Sequence, residues 1–70
     1  MTLKDAVVGK EYVIRRIVTD DEELGAFLFT LGCYSGGTVT VVLRRRNDYV
    51  VSVKDARYCI DNHIAETIEI

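Results

Sequence analysis

Three residues of this 70-residue chain have thiol or imidazole side chains, which can act as soft metal ligands or as nucleophiles. They are Cys33, Cys59 and His63. Thiolate and imidazole groups are soft metal ligands, and Cys59 and His63 are four residues apart, but structural zinc sites use four such ligands. We therefore expect no metal site, and these three residues are the candidates if one exists. We predict instead that Cys59 is a small core residue and that His63 is exposed or caps a helix.

The remaining polar residues show no pattern typical of an enzyme. Gly36 and Gly37 lack the lysine and threonine that complete a phosphate-binding loop. The histidine has no evident serine partner, and neither cysteine lies in a sequence pattern typical of an activated nucleophile. The acidic residues at 20–23 are consecutive at a predicted helix start, where they interact favourably with the helix dipole. We expect a protein that is not an enzyme and that needs no cofactor.

Two short basic runs are the other groups of charge. One leads into a predicted hairpin and consists of Arg44, Arg45 and Arg46; the other is Arg15 and Arg16. The formal net charge of −2 and the pI near 5.2 argue against a general polyanion binder. We favour a basic edge that prevents aggregation of strands. Contact with an acidic protein or with the inner membrane surface is the second interpretation, and nucleic acid binding is the third.

Length and composition predict one small domain with some exposed apolar surface. Hydrophobic residues make up 49% of the chain, and a domain of this size buries only about 60% of its unfolded surface. No apolar run approaches the roughly 20 residues of a membrane-spanning helix, and residues 1–10 lack the apolar core of a signal peptide. Two cysteines are too few for the disulfide framework of a small secreted domain. We expect a cytoplasmic domain over residues 1–70 with reduced thiols, without direct membrane insertion.

One helix is predicted clearly, between residues 20 and 32. Four large apolar residues recur at positions i, i+3, i+4 and i+7 and so share one helical face: Leu24, Phe27, Leu28 and Leu31. Asp20 is the N-cap candidate, and Glu23 can complete a capping box with it. Gly32 stands where a helix ends in a left-handed residue.

The segment before this helix predicts a bent strand. In residues 10–18 the alternation of apolar side chains breaks at Arg15 and Arg16, which indicates a bulge or a sharp bend. Upstream, Thr2 is predicted to cap a single turn, from which Leu3 and Val7 cover the open end of a barrel.

The remaining residues predict a hairpin and two shorter strands. These strands are expected at residues 38–45, 49–53, 57–60 and 66–70, with a turn capped by Asp61 before the last one. The hairpin residues predicted to face inward are Val39, Val41, Leu43, Val51 and Val53. The fold predicted is mainly β: a small, partly open β-barrel of about five strands, with one short α-helix between the first and second strands.

Four stretches of the chain together resemble the FeoA family, small cytosolic proteins of bacterial ferrous-iron uptake. They are Gly9 with Tyr12, Ile14 and Ile17 of the opening strand, LFTLGCYSG at 28–36, residues 38–43, and IAETIEI at 64–70. The resemblance covers nearly the whole chain and therefore predicts a stand-alone FeoA-like protein. The chain departs from the family at Ser35, where a proline usually precedes the elbow glycine, and at Asp55 and Ala56, where a glycine is frequent.

The resemblance implies an SH3-like barrel with a non-enzymatic accessory role. The partner it implies is FeoB, the ferrous-iron permease, whose cytosolic part the protein would bind at the inner face of the membrane to modulate assembly or activity. A similar domain also occurs fused to metal-dependent repressors. The alternative is therefore an independent small barrel that binds nucleic acid or acts in metal-responsive regulation, for which steep salt dependence of RNA binding would be evidence. A homodimer is compatible with exposed strand edges.

A partner would be expected at the turn that follows the helix. The candidate partner-binding residues are Leu31, Gly32, Cys33, Tyr34 and Gly36. A turn exposes residues that the inner face of a helix cannot, and tyrosine is favoured at the centres of interfaces. The alternative is that Leu31 completes the core and Tyr34 lies over it. A second, electrostatic surface is predicted at Arg44, Arg45 and Arg46.

Overall fold

Six short strands and two α-helices make up the structure, a computed structural model that describes residues 1–70. The strands are β1 (Glu11–Val13), β2 (Arg16–Ile17), β3 (Thr38–Arg44), β4 (Asp48–Val53), β5 (Ala56–Asp61) and β6 (Ile68–Glu69). The helices are α1 (Glu22–Leu31) and α2 (Asn62–Thr67), and a 3-10 turn spans Leu3–Asp5. All strand pairs are antiparallel, in one sheet of order β1-β3-β4-β5 and a second of order β2-β6.

The predicted bend in the first strand is confirmed and divides it between the two sheets. β1 pairs with β3, whereas β2 pairs with β6. Ile14, between β1 and β2, is buried, and its N–H donates to the carbonyl oxygen of Gly37 at 2.7 Å. By moving from one sheet to the other, the chain closes the barrel, and the mainly β fold is confirmed.

The second helix is longer than the single turn that was predicted. The Oδ1 atom of Asp61 accepts from the N–H of Ile64 at 2.8 Å, which confirms Asp61 as the cap. α2 then continues to Thr67, so the last strand is only Ile68–Glu69 rather than residues 66–70.

The core lies between the sheets and the two helices and contains fourteen buried residues. Val39, Val41, Val51 and Val53 face it from β3 and β4, as predicted.

Thr2 caps the amino-terminal 3-10 turn, and Leu3 is buried as predicted. Val7 does not cover the barrel. The turn ends at Asp5 and the backbone becomes extended at Ala6, so Ala6 follows Leu3 into the core and Val7 is exposed.

Helix α1 begins one residue later than predicted. Asp21 rather than Asp20 is the N-cap, and its Oδ1 atom accepts from the N–H groups of Glu23 and Leu24 at 3.0 and 3.1 Å. Because the side chain of Thr19 already accepts from the N–H of Asp21, the cap is formed by this later aspartate. Glu23 therefore makes no capping box with Asp20. Gly32 ends the helix with φ +103°, in the left-handed region, as predicted.

The buried face of α1 is narrower than the predicted one. Leu28 is completely buried, and Leu24 and Leu31 are partly buried against the core. Phe27 was predicted to join them but is 51% exposed. It lies about 100° around the helix from Leu28, and a single helix on a small barrel covers only one narrow stripe.

The prediction that Leu43 faces inward is wrong, because β3 contains an irregularity. The register of β3 against β4 shifts between Val41 and Leu43, so Val42 is an additional residue in this strand. Beyond the shift the two faces exchange. Leu43, predicted to face inward, is therefore exposed, and Arg44 lies opposite the buried Tyr49.

The burial of α1 can be tested with neighbouring substitutions. Leu28→Ala is expected to lower the free energy of unfolding by about 2–5 kcal/mol, because it leaves a cavity under the helix. Phe27→Ala, one residue away and exposed, is the control and should cost much less. Chemical denaturation of both variants measures the difference; equal losses would contradict this orientation of α1.

The helix end provides a second test. Gly32 and Gly36 have φ values of +103° and +91°, so alanine at either position costs roughly 1–2 kcal/mol of backbone strain. A Cβ at Gly32 would also lie 3.0 Å from Lys54 Cδ and 3.1 Å from Val53 Cγ1, whereas none of the structure lies within 4 Å of one at Gly36. Gly32→Ala should therefore lower the denaturation midpoint more than Gly36→Ala. Equal losses would show that crowding at Gly32 is relieved by a small shift.

Candidate functional site

The structure has no pocket, and no three His, Cys, Asp or Glu side chains lie where they could hold a metal ion. The three candidate ligands are not brought together. Cys33 is buried in the core with 2% of its surface exposed, whereas Cys59 and His63 are exposed. The candidate functional site is the predicted partner-binding surface around residues 31–36.

The prediction that Cys59 is a core residue is wrong. In β5, Ile60 is buried and Tyr58 is partly buried, while Cys59 between them points to the outside. The period of two in a strand places neighbours on opposite faces, and the two larger apolar residues occupy the inner one. Outside, the Arg45 guanidinium donates to Cys59 Sγ at 3.7 Å.

The segment from Gly32 to Gly37, which we call the elbow, connects α1 to β3. The Gly32 N–H donates to carbonyl oxygens at the end of α1, and the left-handed φ of Gly36 turns the chain into β3. The Gly36 N–H donates to the Ile14 carbonyl at 2.8 Å, and the Ile14 N–H donates to Gly37 at 2.7 Å. The elbow is thus bonded to the end of β1 and has a defined position.

The five predicted partner-binding residues differ in exposure and form three groups. Gly32 and Cys33 are buried, so Cys33 offers no side chain to a partner. Leu31 and Tyr34 are partly buried, and Gly36 is exposed. Leu31 packs against the core, and the accessible part of the predicted surface is centred on Tyr34.

Tyr34 lies between two exposed side chains, and we call Phe29, Tyr34 and Lys54 the elbow cluster. The rings of Phe29 and Tyr34 have centroids 5.2 Å apart and are tilted by 42°. The Lys54 ammonium lies 4.8 Å from the Tyr34 ring centroid and also donates to the Tyr34 hydroxyl. Aromatic pairing and cation–π attraction both stabilise this arrangement. The cluster presents a ring, a phenol and an ammonium group on one exposed surface.

Sequence reasoning missed Phe29 and Lys54. Phe29 is 65% exposed, and it is the large apolar residue of α1 outside the predicted apolar face. An aromatic residue off the buried face was a usable indication of a surface role. Lys54 had no such indication, because it reaches Tyr34 only through the tight turn between β4 and β5, where Lys54 and Asp55 have φ values of 50° and 67°.

The predicted electrostatic surface is mostly engaged within the protein. Arg44 Nη2 donates to the carbonyl oxygens of Lys4 and Ala6, at 3.0 and 2.6 Å. Arg45 donates to Asp48 Oδ1 at 2.7 Å. Arg46 alone of these three arginines has a side chain without an ion pair or hydrogen bond. The basic run thus holds the amino-terminal turn and its own hairpin.

The model of the FeoA domain matches residues 1–70. The chain belongs to the FeoA family. A solved iron uptake regulatory protein, FeoA, is similar in structure with a TM-score of 0.86 at 19% identity, over 97% of this chain and 91% of that one. FeoA of Stenotrophomonas maltophilia complexed with zinc, described as a prokaryotic SH3-domain protein, gives a TM-score of 0.84 at 19% identity, over 97% and 86% of the two chains. These likenesses confirm the SH3-like fold of the FeoA-family chain. No curated protein matches the sequence.

The fold also forms part of longer proteins. A manganese-dependent transcriptional repressor has a TM-score of 0.85 at 18% identity, and the match covers 97% of this chain but 39% of the repressor. The repressor ScaR with bound Cd²⁺ has a TM-score of 0.82 at 23% identity, over 100% of this chain and 35% of ScaR. The FeoA-family chain itself has no helix long and apolar enough to cross a membrane.

The two cysteines should react at very different rates. Burial raises the pKa of the Cys33 thiol, which lowers its thiolate fraction as well as its accessibility. Mass spectrometry after brief native treatment with a thiol reagent should therefore find the label on Cys59 alone, and on both cysteines in denaturant. The Cys59→Ser variant is the control and should remain unlabelled under native conditions. Comparable labelling of Cys33 would contradict its burial.

Proposed function

We propose that this FeoA-family chain is a non-enzymatic accessory and regulatory protein of ferrous-iron transport. It binds the cytosolic part of a FeoB-type permease and modulates the assembly or activity of that permease. The observation that carries the proposal is the family match over residues 1–70. The similar protein from Stenotrophomonas maltophilia is described as a candidate activating factor of bacterial ferrous-iron transport, which supports the same role here. The protein acts in the cytoplasm, and its partner recruits it to the inner face of the membrane.

The elbow cluster is the surface that we assign to this contact, together with Leu31 and Gly36. Phe29 is the most exposed of the large hydrophobic residues of the chain, and it lies directly against Tyr34. Aromatic side chains that are fixed in position lose little conformational freedom on binding and are frequent energetic centres of interfaces. The elbow cluster therefore offers a preformed apolar contact.

Lys54 adds a polar requirement to the same contact. Its ammonium is held over the Tyr34 ring, and it remains exposed. An apolar centre with a charged rim is the ordinary composition of a protein interface. The matching surface of the permease is thus an apolar depression with a carboxylate at its edge, because Phe29 is an exposed ring and Lys54 is an exposed cation beside it.

The proposal is tested by NMR titration of the labelled protein with the isolated cytosolic domain of its permease. We expect shifts clustered at residues 29–37 and at Lys54. Phe29→Ala and Tyr34→Ala should each weaken binding about tenfold or more, as truncation of an aromatic interface centre usually does. Arg46→Ala, an exposed residue at the other end of β4, is the matched control and should bind normally.

The melting temperature of each variant separates binding from folding. Phe29 is exposed, so Phe29→Ala should melt within a few degrees of the wild type, a small change for an exposed site. A large drop for Tyr34→Ala would make Tyr34 part of the core and remove it from the surface. Shifts confined to the Arg44–Tyr49 hairpin would keep the permease as partner but contradict the elbow as its contact. An absence of shifts at high concentration would contradict binding to this domain.

The second candidate is an independent barrel that binds nucleic acid or acts in metal-responsive regulation. The repressors of similar structure favour it, since each contains this fold as roughly a third of its chain. The internal contacts of Arg44 and Arg45 favour the permease instead, because they occupy two guanidinium groups of the most basic stretch. We therefore place the permease accessory role first.

A further inference from the structure

Strand β5 ends the four-stranded sheet and leaves one edge without a partner. It pairs with β4 over six consecutive residue pairs without a bulge. In an antiparallel pair of strands, facing residues alternate between pairs that exchange hydrogen bonds and pairs that do not. The Asn62 N–H donates to the Asn47 carbonyl, which makes Asn62 a hydrogen-bonded position. Counting back along β5, Asp61, Cys59 and Arg57 are therefore positions without hydrogen bonds to β4. The backbone N–H and C=O groups of Arg57 and Cys59 therefore point away from β4. No hydrogen bond in the structure uses them.

This edge lacks most of the usual protections against pairing. Free edges are ordinarily blocked by proline, by a bulge, by charged side chains, by an inward-pointing charge or by shortness. β5 does carry charged side chains, but Arg57 and Asp61 have opposite signs and can therefore attract a second copy. The chain contains no proline, and β5 is regular along its whole length. The opposite edge strand, β1, spans only Glu11–Val13. β5 is thus the longest open edge of the protein.

We propose that the β5 edge binds a second copy of this chain. The two β5 strands pair antiparallel around a two-fold axis at Cys59. This interface uses none of the residues assigned to the permease contact and does not depend on the proposed function. It joins two four-stranded sheets into one continuous sheet, with the same surface contributed by both copies.

Charge complementarity selects this register. Arg57 and Asp61 are exposed on the outer face, two residues on either side of Cys59. With the axis at Cys59, Arg57 of each copy lies opposite Asp61 of the other, and opposite charges at facing positions stabilise a strand pair. On the inner face, Tyr58 lies opposite Ile60, an aromatic and β-branched pair of the favourable kind.

Three other registers place like charges together, and the register with its axis at Ile60 sets no opposite charges face to face. An axis at Arg57 sets arginine opposite arginine, and an axis at Asp61 sets aspartate opposite aspartate. An axis at Tyr58 sets Asp61 opposite Asp55. Like charges at facing positions are destabilising, so the Cys59 register is favoured over these three.

The free backbone groups fit the same register. The Cys59 N–H of each copy donates to the Cys59 carbonyl of the other, and the Asp61 N–H donates to the Arg57 carbonyl. The Arg57 N–H in turn donates to the Asp61 carbonyl, as both residues of such a pair do. A carbonyl oxygen has two lone pairs, so that of Asp61 can accept this bond as well as the first bond of its helix. Arg45, which lies over Cys59, brings little net charge to the axis, because it is paired with Asp48 at 2.7 Å.

Sedimentation and an NMR dilution series from millimolar to micromolar concentration test the pairing. The wild type is expected to form a dimer, with concentration-dependent amide shifts concentrated at residues 56–61. Cys59→Lys places two ammonium groups on the axis and should abolish the dimer, whereas the matched control Cys59→Ser should keep it.

Arg57→Glu should raise the dimer dissociation constant roughly tenfold, because it turns both attractive charge pairs into repulsive ones. Arg57→Lys should change the dissociation constant little. These positions are exposed, so all four variants should keep the wild-type melting temperature when it is measured at a concentration where the wild type is monomeric. Asp61 is left unchanged because it caps α2.

The register has its own test in covalent cross-linking. Facing residues in a hydrogen-bonded pair have Cα atoms about 5.5 Å apart, which lies within the span of a disulfide. Mild oxidation should cross-link the wild type and Cys33→Ser, and should fail with Cys59→Ser. Cross-linking of Cys59→Ser through its remaining cysteine, Cys33, would overturn the register.

Three results would overturn the proposal as a whole. They are a monomer at millimolar concentration, a dimer unchanged by both Cys59→Lys and Arg57→Glu, and shifts at residues 56–61 caused by the permease domain rather than by concentration. The last result would assign the edge to a strand of the permease. If the protein does not dimerise, titration with the permease domain can still shift the signals of the elbow cluster. Failure of the dimer proposal is therefore distinguishable from failure of the proposed function.

Discussion

Two reciprocal hydrogen bonds join Ile14 to the Gly36–Gly37 turn, at the point where the first strand ends and the elbow enters β3. The Ile14 N–H donates to Gly37, and the Gly36 N–H donates back to Ile14. They lie where the chain leaves β1 for β2, and therefore where it passes from one sheet to the other. Together with the pairing of Val13 with Thr38 next to them, they fix the elbow against the end of β1 and so help to place α1 over the core.

Much of the fold could be predicted because the relevant information is local. The bend at Arg15, the left-handed Gly32 and the cap at Asp61 each follow from a few adjacent residues, and the structure contains all three. The predictions that failed concern the orientation of side chains that depends on neighbours distant in sequence. Leu43 faces outward because of an added residue in the pairing of β3 with β4, and Phe27 is exposed because only one narrow stripe of α1 meets the barrel.

The candidate site was predictable only in its location. Tyr34 and the elbow were identified from the glycines around them, but Cys33, beside Tyr34, is buried and cannot serve a partner. Phe29 could have been found as the aromatic residue outside the helical stripe. Lys54 could not, since its contact with Tyr34 requires the β4–β5 turn to meet the elbow, and twenty residues separate them in the chain.

The interior of this small barrel is filled by its core, and the structure contains no pocket. The recognition surfaces that we propose consist of exposed side chains and of unpaired backbone. Charge counted along the sequence is a poor guide to such a surface: Arg44 and Arg45 stand in the most basic run, yet their guanidinium groups are bound to the protein itself. The groups that we propose for recognition are an aromatic pair next to one lysine and a strand edge with opposite charges at its two ends. Each of these has a fixed geometry, since the Phe29 and Tyr34 rings pack on one another and the edge repeats at the spacing of a regular strand.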